Sequence, residues 1–180
     1  MTTAAVRTPR TFPLRDTDLM NERIQIQPRG PGARPRPEDA SRVGALRRIA
    51  AARLRWWGLE AVLDDAVLVL SELATNAVLH TGTPEVRVAM VTRDSYLCIT
   101  VTDGMPGAAT LRPSDGSSES GRGLGLVAAI AAEHGGTWGV DGAGERTWCR
   151  LALPGVDRGR DCGQDRTSER LFPGTGDRHP

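Results

Sequence analysis

Residues 70–80, LSELATNAVLH, decide how the chain folds and where its chemistry is expected. Apolar residues recur at spacings of three and four, which predicts an amphipathic helix over roughly residues 60–80. Glu72, Asn76 and His80 recur four residues apart, so successive members lie about 40° apart on one face. A carboxylate and an amide one turn apart can polarise an attacking hydroxyl and complete a Mg²⁺ shell. The same triple also fits the solvated face of an ordinary amphipathic helix.

Two alternating runs follow this helix and predict a β-hairpin. Residues 86–91 and 97–101 flank the turn TRDS, with Val86, Val88 and Met90 on one face. The second strand leads directly into Asp103 and the turn GMPG. An ionised Asp at a strand end can accept a hydrogen bond from an exocyclic amine such as that of adenine. Turn formation explains the same residues, because Asp and Gly are common after strands.

A glycine segment, GRGLGL at residues 121–126, is predicted to open a third helix at residues 123–124. Glycines let backbone N–H groups approach an anion, and a helix N-terminus favours phosphate. The preceding polar stretch, residues 104–122, is too long for an idle connection and predicts a mobile functional loop. The spacing G-x-G-x-G departs from the dinucleotide fingerprint G-x-G-x-x-G, which argues against a Rossmann domain.

The remaining elements complete an α+β order. We predict a short strand at residues 23–27, a first helix from Pro37 to about Trp57, and two last strands at residues 137–140 and 146–153. Both ends of the chain are rich in polar residues, Gly and Pro. We therefore expect a disordered arm over residues 1–22, one domain over residues 23–153 and a disordered tail over residues 154–180.

Composition excludes several classes of protein. The 180 residues suit a single domain, and all 23 basic residues are Arg. Without Lys, the chain is not a P-loop NTPase, a eukaryotic-type protein kinase or a pyridoxal enzyme. The three cysteines are widely spaced, which fits a reducing cytosol rather than a disulfide framework or a C-x-x-C metal site. With neither a leader-like apolar segment nor a membrane-length apolar run, we expect a cytoplasmic protein that does not enter a membrane.

Charge gives little support for nucleic-acid binding, because the net charge is only +1. Residues 1–55 nevertheless hold twelve Arg against five acidic residues. One hypothesis therefore makes this segment a nucleic-acid arm on an inert domain, which would bind DNA with a strong salt dependence. Against it, several of these Arg residues alternate with Pro or lie on a helix that must also pack.

The order of these motifs resembles a known family. LSELATNAVLH is similar to the N-box of the ATPase superfamily shared by DNA gyrase, histidine kinases, mismatch-repair proteins and heat-shock chaperones, while DGMPG and GRGLGL resemble its two glycine boxes. The resemblance covers about residues 37–153 and is nearest to the small anti-sigma-factor serine kinases of actinobacterial type. It implies a two-layer α/β sandwich of the Bergerat type, in which three helices cover one side of a mixed, mostly antiparallel sheet.

The resemblance also implies roles for individual residues. Glu72 would be the general base, Asn76 the Mg²⁺ ligand and His80 a supporting residue. Asp103 would read the adenine amino group, and Thr147 would support the adenine site. Phosphate contacts at the helix start would come from Gly121, Arg122, Gly123, Leu124, Gly125 and Leu126, and residues 107–122, beginning at Gly107, would form the ATP lid.

One residue departs from the family's pattern. In D-x-G-x-G, Met105 stands where the first Gly is expected, although Gly107 is retained. The departure weakens the expectation of nucleotide binding without removing it.

Within the superfamily, the sequence favours a stand-alone kinase. A sensor histidine kinase carries an acceptor His upstream of the N-box, and no His precedes His80. Gyrase-like and chaperone-like ATPases need a transducer domain, for which the last 27 residues are too few. We therefore expect transfer of the ATP γ-phosphate to a Ser or Thr of an anti-sigma antagonist, with a sigma factor as a second partner, a homodimer and no direct nucleic-acid contact. The alternative is a non-catalytic, ATP-dependent module that sequesters a partner, with Glu72 vestigial.

Overall fold

The protein is described from a computed structural model, which covers residues 16–27, 36–80, 83–105, 119–142 and 144–154. For His80 and residues 119–122 only the backbone is described. Its elements in chain order are β1 (Thr17–Gln25), α1 (Pro37–Trp56), a 3-10 turn (Glu60–Val62), α2 (Leu63–His80), β2 (Glu85–Arg93), β3 (Tyr96–Thr102), α3 (Glu119–Glu133), β4 (Thr137–Asp141) and β5 (Arg146–Ala152).

The five described strands form one sheet in the order β1-β2-β3-β5-β4. Every described pairing is antiparallel, whereas a mixed sheet was expected. The predicted hairpin joins β2 to β3, and Asp94 and Ser95 at its tip have φ of 48° and 67°. Two consecutive positive φ angles are typical of the type I′ turn, whose twist matches that of antiparallel strands. The α+β fold class is confirmed.

The core lies between the helices and one face of the sheet. Val86, Val88 and Met90 of β2 are fully buried there, as their alternation predicts. Ala89 of the same strand points to the other face and lies outside the core cluster. The helices contribute apolar stripes to this core, among them Leu46, Ala50 and Leu54 of α1, Leu70, Leu73 and Ala74 of α2, and Leu124, Val127 and Ala131 of α3.

The first strand begins earlier than predicted. β1 starts at Thr17, so residues 17–22 belong to the sheet rather than to the expected arm. Its register shifts between Asp18 and Met20, and Leu19 and Met20 are both buried. A bulge of this kind interrupts the two-residue alternation by which strands are recognised. The alternation of Ile24 and Ile26 therefore predicted only the second half of the strand.

The ends of the chain, residues 1–15 and 155–180, lie outside the described residues. The predicted disorder of the arm and tail is therefore untested there. Among the helices that are described, none combines the length and the apolar character needed to cross a membrane.

Candidate functional site

One end of the sheet collects the strand residues that the sequence singled out. β3 ends at Thr102, whose partner in β5 is Arg146 at the start of that strand. Asp103 continues the pairing, since its N–H donates to the carbonyl of Glu145 at 3.1 Å. Thr147, the next residue of β5, pairs with Val101. The end of β3 and the start of β5 thus lie side by side.

Two helix ends reach the same end of the sheet. α2 ends at His80 shortly before β2, and β2 begins beside the end of β3 because Arg87 pairs with Thr102. The last residues of α3 lie at the opposite end, where the N–H of Ala152 donates to the carbonyl of His134 at 3.3 Å. A helix of 15 residues is about 22 Å long. Because His134 after α3 contacts Asp65 at the start of α2, and Gly123 lies beside Glu72 further along α2, the two helices are antiparallel and the start of α3 lies towards the end of α2.

The polar stripe of α2 faces α3. Glu72 and Asn76 are half-buried, between the fully buried core residues and the exposed residues of the helix. An ideal Cβ built on Gly123 of α3 would lie 2.5 Å from Oε2 and 3.6 Å from Cδ of Glu72. The carboxylate of Glu72 therefore lies directly against the backbone of the glycine segment. The two motifs, about fifty residues apart in the chain, meet in the fold.

Asp103 lies in a tight turn that orients its carboxylate. Its Oδ1 accepts a hydrogen bond from the N–H of Met105 at 3.0 Å, which orients the side chain within its own turn. Gly104 between them has φ of +67°, a conformation that glycine adopts readily. The turn therefore holds the carboxylate of Asp103 in one orientation at the end of β3.

Burial raises the pKa of the Asp103 carboxyl above its ordinary value. The N–H groups of Met105 and of Asp103 itself lower that pKa, and the nearby charge of Glu145 raises it further. The rise follows from the half-buried position of the carboxylate at the end of β3. A hydrogen bond to a carboxylate in such surroundings is stronger than one in open solvent.

Thr147 and Asp103 belong to the same face of the sheet. Thr147 is buried, with 8% of its surface exposed, beside Val101, which is part of the core. Successive strand side chains alternate in direction, so the alternation of β3 carries Asp103 to the side of Val101. This arrangement is compatible with the prediction that Asp103 and Thr147 serve the same adenine site.

The glycine segment lies inside α3 rather than at its start. The helix begins at Glu119, four residues before the predicted start. Only the first four N–H groups of a helix lack a partner within it. The N–H groups from Gly123 to Leu126 therefore bond along the helix, and the free ones belong to residues 119–122. Leu124 is buried in the core, whereas Gly125 and Leu126 are exposed.

Part of the predicted lid and its neighbours is not described. Gly107 falls within residues 106–118, outside the described residues, as do all the lid residues from 107 to 118. The backbones of His80, Gly121 and Arg122 lie in α2 and α3, but the side chains of His80 and Arg122 lie outside the described part. Their predicted roles stay predictions, as do those of the other site residues.

Sequence reasoning missed a second contact between α2 and α3. His134 Nε2 lies 2.7 Å from Oδ2 of Asp65. Asp65 precedes Glu72 by seven residues, so the two lie about 20° apart on the same stripe of α2. That spacing could have indicated a longer polar stripe, but it gives no sign that His134 is the partner.

The donors of the site suit Mg²⁺ only in combination with phosphate. Within the described part of the chain, no group of three or more His, Cys, Asp or Glu side chains could hold a metal ion. Mg²⁺ commonly takes one or two protein oxygens together with waters and substrate phosphates. The amide oxygen of Asn76, one turn from Glu72, is a donor of this type.

A known family of domains matches most of the described part of the chain. The family described as "Histidine kinase-like ATPase domain" matches residues 36–151, nearly two thirds of the chain. The matched range begins just before α1 and ends in β5, so it contains α2, Asp103 and the glycine segment. No curated protein matches the chain.

Proposed function

The chain belongs to the histidine kinase-like ATPase domain family, and from this premise we propose that it is a protein serine/threonine kinase of the anti-sigma-factor type. Membership of this family supports an ATP-binding, ATPase-like domain with a regulatory role. The proposal adds the reaction, transfer of the ATP γ-phosphate to a hydroxyl of an antagonist protein. It also includes Mg²⁺ as cofactor, a homodimer, and a sigma factor as a second partner.

The contact between Glu72 and Gly123 carries the proposal. It brings a carboxylate to the helix whose first turn offers free N–H groups to phosphate. Asp103 stands at the same end of the sheet, at the end of β3. A base, a phosphate site and a reader of the purine are the three parts that phosphoryl transfer from ATP requires here.

The residues would divide the reaction as follows. Asp103 accepts a hydrogen bond from the adenine amino group and so orients the nucleotide, while the free N–H groups of α3 hold its phosphates. Glu72 takes the proton of the attacking Ser or Thr hydroxyl as its oxygen bonds to the γ-phosphorus and the bond to ADP breaks. Asn76 would hold Mg²⁺ through its amide oxygen, and bound Mg²⁺ neutralises charge on the phosphates.

Labelled ATP tests the reaction directly. Purified protein is incubated with γ-labelled ATP, Mg²⁺ and a candidate antagonist carrying an accessible Ser or Thr. We expect label on the antagonist, at least 100-fold less with Glu72→Gln, and unchanged ATP binding by that variant. Glu60→Gln, which alters an exposed Glu just before α2, is the matched control and should transfer label normally.

The outcomes separate the two functions that the sequence leaves open. Label on the antagonist that survives Glu72→Gln would remove Glu72 from the base role. If the protein binds ATP and the antagonist together but transfers no label, it is the sequestering module rather than a kinase.

A further inference from the structure

Gly123 occupies a position in α3 where glycine is unfavourable for the helix itself. Its backbone is helical, it is not among the described glycines with positive φ, and it lies within the helix rather than at either end. Glycine inside a helix is destabilising relative to Ala, because it loses more conformational freedom on folding. Neither a turn nor a helix end accounts for it, so another constraint must.

The side chain of Glu72 on α2 supplies the constraint on position 123. A Cβ at Gly123 would lie 2.5 Å from Oε2 of Glu72, closer than non-bonded carbon and oxygen can approach. At Gly125, two residues on in the same helix, a Cβ would meet nothing within 4 Å. The two glycines therefore differ in their surroundings: the carboxylate of Glu72 lies against Gly123, and the position at Gly125 is open.

The distance between α2 and α3 is set independently at their other ends. The hydrogen bond between Asp65 and His134 joins the start of α2 to the residue after α3. Asp65 and Glu72 lie on one stripe of α2, so both contacts hold α3 along the same line. With α3 held in this way, a side chain at position 123 would be accommodated by movement of Glu72.

We propose that Gly123 is the positioning residue of Glu72: its missing side chain leaves the space in which the carboxylate lies against α3. The catalytic consequence rests on the proposed function, since it matters for transfer only if Glu72 is the base. The packing consequence, displacement of the Glu72 carboxylate, is independent of the proposed function. An added methyl group at 123 displaces the carboxylate, and a displacement of about 1 Å can cost about 100-fold in rate.

Thermal unfolding tests the packing. Gly123→Ala and Gly125→Ala are compared in the native chain and in Glu72→Ala. Gly125→Ala should raise Tm by about 2–4 °C in both backgrounds, as expected for a helical Gly→Ala change in a protein of this size. Gly123→Ala should bring no rise, or a fall, in the native chain and the full rise with Glu72→Ala. Equal rises in both backgrounds would overturn the proposal.

A folding failure would still be informative. If Gly123→Ala alone does not fold, the double variant Gly123→Ala with Glu72→Ala should fold, because it removes the carboxylate that the methyl group meets. A double variant that also fails to fold would mean that Gly123 is required by something other than Glu72, and would overturn the proposal.

Kinetics test the consequence for the reaction. With a kinase assay in hand, Gly123→Ala should lower kcat about 10- to 100-fold while the KM for ATP stays within about threefold. Gly44→Ala in α1, where a Cβ makes only an ordinary contact with the Arg48 side chain, should change neither. A rise in KM with kcat unchanged would mean that Gly123 serves phosphate binding instead. If no transfer is found at all, the proposed function fails while the unfolding test still decides the packing.

Discussion

His134, directly after α3, contacts Asp65 at the start of α2: Nε2 of the imidazole lies 2.7 Å from Oδ2 of the carboxylate. The His134 side chain is 17% exposed and that of Asp65 is 43% exposed. The contact fixes the end of α3 on the start of α2, at the opposite end of α3 from the glycine segment.

Removing either side chain of this contact should lower stability only slightly, and the effects of the two changes should not be additive. We expect His134→Ala and Asp65→Ala each to lower the free energy of unfolding by about 0.5–1 kcal/mol, a modest figure because solvent reaches Asp65. The double variant should lose less than the sum of the two. Urea unfolding measures this, with Asp64→Ala, an exposed neighbour, as control. Additive losses would show that the two side chains do not interact.

Asp103→Asn should weaken nucleotide binding about 10- to 100-fold, the range expected when a charged hydrogen-bond acceptor becomes neutral. Titration calorimetry with ATP, with and without Mg²⁺, measures the change. The amide still accepts the Met105 N–H, so the turn should persist. Unchanged affinity would assign adenine recognition to another residue.

The same variant should be more stable than the native chain at neutral pH. Burial raises the folded-state pKa of Asp103 above its unfolded value, so the folded protein binds the proton more tightly than the unfolded chain. The native protein therefore loses stability as pH rises from the unfolded pKa through the folded one. Tm curves of the two proteins should converge at a pH below 3.8 and separate above it. If the native chain were more stable than Asp103→Asn at neutral pH, the predicted direction of the stability difference would be wrong.

Met105→Gly should restore the pattern of the family at the position where this chain departs from it. Met105 is 41% exposed, so the change removes little packing. We expect ATP to bind more tightly by up to about 1 kcal/mol, a factor of less than about ten, as measured by titration. Met105→Ala shortens the side chain without adding backbone freedom. It therefore separates the effect of the lost side chain from the effect of the freer backbone. Weaker binding by Met105→Gly would mean that the Met side chain contributes to the site.

Gly136→Ala should be among the most destabilising single changes in the domain. A Cβ there would overlap the backbone carbonyl of Arg150, which cannot move without disturbing β5. We expect a loss of more than about 2 kcal/mol in urea unfolding. Gly44→Ala, by contrast, should gain up to about 1 kcal/mol. A variant of Gly136 as stable as the native chain would show that β4 can shift away from β5.

The contribution of local sequence is clearest in α1, α2 and the hairpin. The Pro that begins α1, the three- and four-residue spacing of α2, and the alternation around TRDS each act within a few residues of the chain. These elements appear where the sequence predicted them, and α2 differs only in its preceding 3-10 turn. The order of the motifs was enough to predict the ATPase superfamily, which the match to the histidine kinase-like ATPase domain over residues 36–151 confirms.

The start of α3 shows where local reasoning fails. The polar stretch over residues 104–122 predicted a loop, and the glycines at 121, 123 and 125 predicted a helix that begins at residues 123–124. The helix nevertheless begins at Glu119 and runs through all three. Close packing against α2 needs a residue without a side chain at Gly123, so the same glycine that weakens the helix locally permits the tertiary contact.

By itself, the sequence determined which segments form helices and strands and which chemical groups they carry, because those depend on neighbours in the chain. Only the tertiary structure decided that Glu72 lies against Gly123, that Asp65 pairs with His134, and that Leu19 and Met20 are both buried in β1. Each of these depends on the distance between segments far apart in the chain. That distance is set by how helices and strands pack on one another, which no local pattern encodes.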